Sequence, residues 1–514
     1  MNIIPVLLAL LPVAVIFLLL VLRRAPADVA GAVGWVVTVA IACLAFHTPL
    51  RVALQASLGG VVASLPISLV VATSILQITV MLETGAIARV VALVRRVAPQ
   101  DRAVQIMLIN VGVGTLLTAL GAVPVSILPP IMLALGYSSF AAIALPAIGY
   151  DALCTYALLG IPAVVFANFV GRPVGEIGLY FARFMPVIST CIVFGMLWIV
   201  GRWKMMRQGL LPGLLTGLTA GFVAIGMNAL GMITLTGIAA GLGVILVMLA
   251  YLKLGGRPLL ERSAPGQPAE QRLSLGAALS PWLLLTAFSL LLNAPFLPFF
   301  EWTFQRLAMP VEIIPGAPEK VRLFWQAYFW ILISTVLALP FLKPTRAQLA
   351  SSLRKWTRRA LRPVLAAAVF FAIAFVINHS GKGLDWQLAD PSHNMVHVLA
   401  TAAAAALGPL YPLVAPFLGL LAGFLSGSET SAIAMLTALH LSTAERIGAS
   451  GLLIAAASGI GGGLASVISP AKLQNAAAAI DRIGEEAQVI RTTFVISLLI
   501  TAVCAVMALL WAFS

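Results

Sequence analysis

The chain has 514 residues, of which 61% are apolar and only 9% charged. Soluble domains carry about 25% charged residues, so this composition excludes a protein that folds in water. Apolar stretches long enough to cross a hydrocarbon core of about 30 Å recur from end to end. Because lipid offers backbone amides no hydrogen-bond partner, such stretches must be helices. The composition therefore predicts an all-α polytopic protein whose main partner is the lipid bilayer.

The charge balance is strongly basic, with 31 basic and 17 acidic residues giving a net charge of +14. In a soluble protein this would suggest nucleic acid, but here the basic residues lie in short loops between apolar stretches. That distribution is typical of cytoplasmic loops, so no nucleic-acid partner is expected. Assigning the basic loops to the cytoplasm gives a multi-pass protein of a bacterial inner membrane. The N-terminus is then periplasmic, and we read the first apolar stretch as a retained span.

About 12–14 transmembrane helices are expected. The predicted spans are 4–22, 29–46, 58–82, 103–120, 140–167, 184–201, 209–228, 232–252, 276–296, 324–342, 363–378, 396–424, 450–468 and 492–513. The segment 253–275 is rich in Gly, Pro, Gln, Ser and charges, which predicts a cytoplasmic linker. It divides the chain into a first transmembrane half, 1–252, and a second, 276–514.

Each half contains polar or proline-rich interruptions of its apolar sequence. In the first half, 118–130 holds three prolines and a glycine, and Pro162 follows. In the second half, 424–431 reads Phe-Leu-Ser-Gly-Ser-Glu-Thr-Ser, and Ser469-Pro470 follows about 40 residues later. Paired interruptions of this kind indicate inverted repeats with broken or re-entrant helices at the membrane midplane.

A broken helix exposes unpaired amide N–H groups at the positive end of its dipole, which can hold an anion. Glycine permits close approach to the backbone, and hydroxyl groups add donors. The alternative for 424–431 is a kinked helix with Ser and Thr packing against its neighbours. The candidate substrate contacts are Gly121, Pro124, Ser126, Tyr150, Thr155, Gly160, Ser426, Gly427, Ser428, Thr430, Ser431, Ser469 and Lys472.

Ionisable residues inside the membrane are costly, so each is a functional candidate. Asp151 and Glu429 are the candidate proton-coupling carboxyls, although Asp151 could instead form a structural pair with Lys472. Lys472 could attract the anion or extend to the membrane interface. Glu83 is expected at the interfacial end of its span. No metal site and no cofactor are predicted, because His393 and His397, which have helical spacing, have no acidic or cysteine partner nearby.

Several of these segments resemble the L-lactate permease family. The likeness covers most of the chain and is clearest at 98–102, at Gly160-Ile-Pro162, from Phe417-Leu-Gly419 through Gly427-Ser-Glu-Thr-Ser431, and at Ile468-Ser-Pro470. The resemblance implies a secondary active transporter, not an enzyme, that carries a small monocarboxylate such as L-lactate or glycolate together with protons. It also implies that Gly427 to Ser431 and Ser469-Pro470 form the second-half substrate region.

The first half departs from the family pattern. The family has a glutamate followed by a glycine-rich run ending in Gly-Thr-Pro-Val, whereas 116–125 has no acidic residue and a single glycine. The family's Asn-Thr-Ala-Pro stretch is replaced by 150–153, which contains Asp151. A basic residue precedes Ile-Ser-Pro in the family, whereas Lys472 follows it here. These changes suggest that the proton carrier has moved and that the substrate differs.

Two other functions fit the composition. One is a Na⁺-coupled or exporting carrier of another organic anion, such as a sulfonate or dicarboxylate, although Lys472 alone supplies little charge for two carboxylates. The other is a membrane-embedded enzyme or assembly subunit, which would need a metal or nucleophile cluster that the sequence does not show. Uptake under an imposed pH or Na⁺ gradient separates the three.

Overall fold

The structure is a computed structural model that describes residues 3–21, 23, 25–94, 101–121, 124–151, 153–259, 273–293, 297–480, 482 and 484–513. The described residues are almost entirely helical, and a single two-stranded antiparallel sheet pairs β1 (Met309–Ile314) with β2 (Ala317–Val321). Ten helices are long and apolar enough to span a membrane, or up to eleven if a bent pair is one span. Three shorter apolar helices, at Ile3–Leu19, Asp28–Leu44 and Ala327–Leu342, accompany them.

Most of the helices follow one another with short connections, and longer ones separate α13 from α14, α14 from α15 and α16 from α17. In the first half they are α1 (Ile3–Val21), α2 (Ala27–Leu44), α3 (Leu50–Glu83), α4 (Ala86–Val94), α5 (Arg102–Ile106), α6 (Gly114–Ala119), α7 (Pro124–Ala134), α8 (Ser139–Asp151), α9 (Ala157–Val170), α10 (Val174–Ala182), α11 (Met185–Gln208), α12 (Leu210–Ala229) and α13 (Thr236–Leu254). In the second half they are α14 (Leu275–Asn293), α15 (Ala327–Leu342), α16 (Arg346–His379), α17 (Met395–Leu407), α18 (Tyr411–Ser426), α19 (Glu429–Ile447), α20 (Gly451–Leu464), α21 (Pro470–Ala478) and α22 (Glu486–Trp511).

One succession of elements occurs twice, in opposite directions. A 34-residue helix, a shorter helix, a helical hairpin and a broken helix follow one another from α3 to α9 and again from α16 to α21. The two long helices are antiparallel. Glu83 at the end of α3 forms an ion pair with Lys355 near the start of α16, and Gly381 after α16 donates its N–H to Thr48 Oγ1 before α3, at 2.8 Å. The second copy is therefore inverted relative to the first.

At the open end of each helical hairpin, a tyrosine makes a hydrogen bond that joins the two arms. In the first hairpin (102–134), Tyr137 donates to the carbonyl of Arg102 at 3.2 Å, so α7 returns to the level at which α5 began. A π-helical segment, Met107–Val113, joins α5 to α6. In the second hairpin (411–447), the Tyr411 hydroxyl lies 2.8 Å from His440 Nδ1 near the end of α19. Each hairpin thus enters the protein and turns back.

The hairpin tips and the helix breaks lie far from the hairpins' open ends. The bent pair is Ser139–Gly149 with Cys154–Val170, whose axes differ by 65°, and the 3-10 turn Cys154–Tyr156 forms the first break. The 3-10 turn Ala465–Ile468 forms the second break, between α20 and α21. Polar backbone groups inside a membrane need such enclosure within the protein, and the residues around both breaks are buried.

The helices end at two opposite faces of the protein, one marked by basic residues and the other by the sheet. The basic face carries Arg102, Arg257 and Lys355, where Arg257 forms an ion pair with Asp101. The opposite face carries β1 and β2, and we call it the sheet face. Because α3 starts at the sheet face and ends beside Lys355, the long helices run from one face to the other.

The structure differs from the prediction in three places. The basic segment 343–362, which lies between two predicted spans and was expected to be a loop, forms the first half of α16, and this helix begins with a capping box in which Thr345 Oγ1 accepts from Gln348 N at 3.2 Å. Helix α19 was not predicted as a span, because its apolar sequence is interrupted by Thr, His, Glu and Arg side chains. The two-stranded sheet was not expected either. The predicted span 396–424 matches one candidate span, Met395–Phe424, in which a turn at Gly408 (φ +48°) separates α17 from α18.

The division into halves stays a prediction. Helix α13 ends at Leu254 and α14 begins at Leu275, consistent with a linker between them. Residues 260–272 of the predicted linker lie outside the described residues. Glu83 lies at the end of α3, as expected for the interfacial end of a span.

The crossing of α3 and α16 generates a stability prediction. A methyl group on Gly60 would lie 2.5 Å from the carbonyl oxygen of Phe371, so the two backbones must move apart. Overpacking of this kind costs about 1–3 kcal/mol, which exceeds the ~0.5–1 kcal/mol that alanine gains over glycine in a helix. Gly60→Ala should therefore lower the melting temperature in detergent. The control is Gly226→Ala, since Gly226 is exposed in α12 with open space around it; equal melting temperatures for the two variants would contradict the tight crossing.

Candidate functional site

The tip of the second hairpin is a left-handed turn built from small residues. Helix α18 ends at Ser426, and Gly427 adopts φ +69°, a conformation that costs glycine little. Ser428 then caps α19, where its hydroxyl accepts from the N–H of Ser431 at 3.4 Å. Ser426 Oγ donates to the carbonyl of Ala422 at 2.8 Å. The polar sequence of 424–431 therefore makes a helix break, as predicted.

The carboxyl of Glu429 lies at this tip and is enclosed by the other half of the chain. Only 3% of Glu429 is exposed, and Thr155 Oγ1 from the first break donates to its Oε1 at 2.6 Å. Among the described residues, no hydrogen-bond partner is found for Glu429 Oε2. The tip of the second hairpin and the first break therefore meet at this carboxyl.

A glycine of α20 lies directly against that carboxyl. A methyl group on Gly463 of α20 would lie 2.8 Å from Glu429 Oε2 and 3.4 Å from the Cβ of Cys154. Helix α20 also packs closely on α18, where a methyl group on Gly419 would overlap the carbonyl of Ser458. The glycine run 459–463 therefore serves helix packing and brings a backbone against the carboxyl.

The second break supplies the remaining predicted polar groups. Ser469 is 1% exposed, and its hydroxyl lies 3.4 Å from the position of a methyl group on Gly427. Lys472, in the first turn of α21, donates from Nζ to Ser466 Oγ at 2.5 Å. Thus the tip of the second hairpin, the first break and the second break meet in one place, with a lysine nearby.

The tip of the first hairpin is also a left-handed glycine, but it contacts different partners. Gly121 has φ +84°, and a methyl group there would lie 2.9 Å from Ser74 Oγ and from Ile331 Cδ1. Pro124 begins α7 after this turn. The described contacts of Gly121 are therefore with α3, α15 and Leu158 of α9, and none of them joins it to Glu429.

The start of α9 holds an unusual left-handed stretch. Leu158, Leu159 and Gly160 have φ of 55°, 59° and 78°, so the helix begins with three consecutive left-handed residues. For leucine that conformation costs roughly 1–2 kcal/mol per residue. Backbone strain of this kind concentrates at functional sites and switch regions. The sequence drew attention to Gly160 but gave no sign that the two leucines share its conformation.

Several predicted site residues remain untested. The side chains of Ser126, Tyr150 and Asp151 lie outside the described part of the chain, so the alternatives for Asp151 stand as stated. Thr430 and Ser431 are buried in the first turn of α19. Cys154 and Gly463, which lie beside Glu429, were not predicted; nothing in their local sequence marks them, because they reach the site only through folding.

Metal binding finds no support in the described residues, where no group of three or more His, Cys, Asp or Glu side chains is placed to hold an ion. His393 lies against the ring of His47, with 4.5 Å between centroids. Its Nε2 also lies 3.9 Å from Asp390 Oδ2, so the expectation of no acidic side chain near His393 was wrong. His397 contacts the guanidinium of Arg446 at 3.1 Å. The pair therefore makes separate surface contacts.

The family model described as L-lactate permease matches residues 5–513 of the chain. The chain belongs to the L-lactate permease family. Glycolate permease GlcA of Escherichia coli strain K12 is 27% identical to it, covering 99% of this chain and 95% of that protein. The L-lactate permease of the same strain is 25% identical, covering 99% and 96%. The Alcanivorax borkumensis YdaH transporter structure is 14% identical with a TM-score of 0.44, covering 88% of this chain and 87% of that one.

Membership makes this L-lactate permease homologue a multi-pass membrane transporter of an organic anion, as expected from the sequence. The family identification and the helical membrane fold are confirmed. The tip of the second hairpin and Ser469-Pro470 lie in segments that resembled the family most clearly, and the first break lies just before another of them, Gly160-Ile-Pro162. We therefore take the place where they meet as the candidate substrate site.

The contact between Thr155 and Glu429 generates a testable prediction. Thr155→Val removes the donor while keeping the shape, which leaves a second carboxyl oxygen unpaired, and such a loss costs about 1–3 kcal/mol. We expect a lower melting temperature and reduced substrate uptake, with recovery in Thr155→Ser. The matched control is Thr437→Val, because the buried Thr437 hydroxyl donates only to Ile433 of its own helix, at 2.7 Å. If both valine variants behave alike, the inter-repeat hydrogen bond has no special role.

Proposed function

We propose that this permease takes up a small 2-hydroxy monocarboxylate, such as L-lactate or glycolate, together with a proton. The observation that supports this most is the Glu429 carboxyl, buried at a hairpin tip between helix ends that suit an anion. The relatives named glycolate permease and L-lactate permease support the substrate class.

The anion would bind where two helices begin. The first turns of α19 and α21 leave amide N–H groups without intrahelical partners, and their dipoles place partial positive charge there. The hydroxyls of Ser426 and Ser469 lie close by on either side of Gly427, and Lys472 in the first turn of α21 adds a full positive charge. A single carboxylate matches this set of groups better than a dicarboxylate, which would need a second cation.

The proton enters because the anion and an ionised Glu429 cannot share the site. Two negative charges about 5 Å apart repel by about 3 kcal/mol at an effective dielectric constant of about 20. This repulsion alone weakens anion binding roughly 100-fold when Glu429 is charged. A protonated Glu429 removes the repulsion, so the proton binds before the anion and leaves after it. In the proposal Asp151 is the alternative proton carrier, because it ends α8 directly before the first break.

The transport cycle would then move the two hairpins and broken helices against α3 and α16. These long antiparallel helices form a close-packed scaffold, and rigid-body movement of one bundle against another is the usual way for inverted-repeat carriers to alternate access. We also propose that the basic face is cytoplasmic, which places the N-terminus in the periplasm of the inner membrane. In that orientation the sheet face meets the substrate first.

Glu429→Gln separates proton coupling from anion binding. Glutamine keeps the shape and cannot ionise, so substrate exchange across proteoliposomes should persist while accumulation driven by an imposed pH gradient is lost. Labelled L-lactate and glycolate are the probes, and the same vesicles are tested with a Na⁺ gradient. The control is Glu445→Gln, since Glu445 is exposed near the end of the same helix.

The outcomes distinguish the alternatives. Accumulation of substrate by Glu429→Gln under a pH gradient rules out Glu429 as the carrier and makes Asp151→Asn the next variant. Accumulation that requires Na⁺ instead of a pH gradient supports the Na⁺-coupled alternative. Failure of the unmodified protein to move either acid, in either exchange or accumulation, contradicts the proposed substrate class.

A further inference from the structure

A small pocket outside the Glu429 cluster lies between the first break and the start of α15. The left-handed residues Leu158 and Leu159 and the following Ile161 form one wall. Trp325, Gln326 and Ala327 form the other, and Thr234 completes the lining. The pocket has a volume of about 10 Å³, which is room for about one water molecule. The pocket lies toward the sheet face, because Trp325 and Gln326 come a few residues after the end of β2 in the chain.

Two side chains of this pocket carry polar atoms that the fold does not satisfy. Trp325 is 7% exposed and Gln326 is 3% exposed. Among the described residues, no hydrogen-bond partner is found for Trp325 Nε1 or for Gln326 Oε1. Buried polar atoms are nearly always paired in native proteins, so an unpaired donor and an unpaired acceptor in the lining of one pocket indicate a binding site.

The Trp325 ring and the backbones of both residues are held in place. The Trp325 ring packs edge-on against Phe304, with 4.8 Å between centroids, and against Phe300 at 6.4 Å. The backbone N–H groups of Trp325 and Gln326 both donate to the carbonyl of Arg322, at 3.1 and 3.0 Å. The ring and the two backbones thus form a fixed corner of the pocket, and binding sites use such fixed groups to orient a ligand.

A positive charge stands beside this corner. Arg322 is 8% exposed, lies over the Phe304 ring with its guanidinium carbon 4.2 Å from the centroid, and donates from Nε to the Phe304 carbonyl at 3.1 Å. Burial lowers the pKa of Arg322, while the neighbouring Glu319 raises it. A partly desolvated cation at the sheet face favours the approach of anions.

We propose that this pocket is a second substrate subsite, on the sheet-face side of the first break, which recognises 2-hydroxy monocarboxylates. Trp325 Nε1 donates to the carboxylate, and Gln326 Oε1 accepts from the 2-hydroxyl group. The inference rests on the proposed function, since it takes the same substrate class and adds the residues that select the hydroxyl group. Neither residue belongs to the Glu429 cluster.

The pocket has room for about one water molecule and must widen to admit a three-carbon acid. The wall able to move is the left-handed stretch, because Leu158 and Leu159 hold a conformation that leucine disfavours. Leu158 also lies near the tip of the first hairpin, where its Cδ2 is 3.4 Å from the position of a methyl group on Gly121. Opening this wall would link the subsite to the first hairpin and to the first break, which carries Thr155.

The test compares L-lactate with propionate, which lacks the 2-hydroxyl group, in proteoliposome uptake. In Gln326→Met the acceptor is lost, so the half-saturating concentration should rise about 3- to 10-fold for L-lactate, the range of one neutral hydrogen bond, and stay unchanged for propionate. In Trp325→Phe the donor to the carboxylate is lost, so the concentration should rise for both acids. This difference in pattern is not expected from a general loss of structure.

Matched controls lie on the same face. Gln305→Met and Trp302→Phe change exposed residues of the same types, and both should leave the two concentrations unchanged. If Gln326→Met does not reach the vesicles, Gln326→Glu keeps the acceptor but repels both carboxylates, so uptake of both acids should weaken. Unchanged concentrations in the Gln326 and Trp325 variants would overturn the subsite while leaving the proposed function intact. Absence of uptake by the unmodified protein would instead count against the proposed function.

Discussion

The carboxyl of Glu429 can remain inside the membrane because the other half of the chain encloses it. Its hydrogen-bond donor, Thr155, lies 274 positions away in sequence, and its remaining oxygen lies beside Gly463 of α20. Neither the second hairpin nor the first break could bury its polar groups alone, since lipid offers no partners. The inverted arrangement brings these elements together, so the fold and the proposed chemistry depend on the same contact.

The arrangement explains why so many glycines occur at the hairpin tips and in the helices around Glu429. Gly121 and Gly427 turn the two hairpin tips in the left-handed conformation. Gly419 and Gly461 allow α18 and α20 to approach within backbone contact, and Gly463 of α20 lies against the Glu429 carboxyl. Small residues at helix interfaces are how membrane proteins gain packing without a hydrophobic driving force. The same close packing leaves a backbone, not a side chain, to face the site, which suits recognition of a small anion.

Much of the fold could be predicted from the sequence because its signals are local. Length and hydropathy determine the spans, and the Gly-Ser-Glu-Thr-Ser segment marks the second hairpin tip by its composition. Helix α19 was missed as an element because Thr437, His440 and Thr443 interrupt its apolar pattern, although all three are buried within the protein. The basic half of α16 was missed because charge was taken as a sign of a loop, whereas Arg and Lys are good helix formers.

The site was less accessible to sequence reasoning because it is assembled from distant segments. Thr155 and Glu429 were each named as candidates, but their pairing depends on the inverted packing of the two halves. Cys154, Gly463, Trp325 and Gln326 have no motif around them and acquire a possible role only through their neighbours in space. The left-handed leucines of α9 likewise follow from tertiary packing that overrides the preference of leucine itself.

The central claim is that Glu429 holds a proton when the site is empty. Infrared difference spectroscopy of the reconstituted protein near neutral pH, comparing the unmodified chain with Glu429→Gln, measures this directly. The account predicts a carbonyl-stretch band of a protonated carboxylic acid that is present without substrate and absent from the variant. A spectrum in which the variant instead loses only the bands of an ionised carboxylate would contradict it.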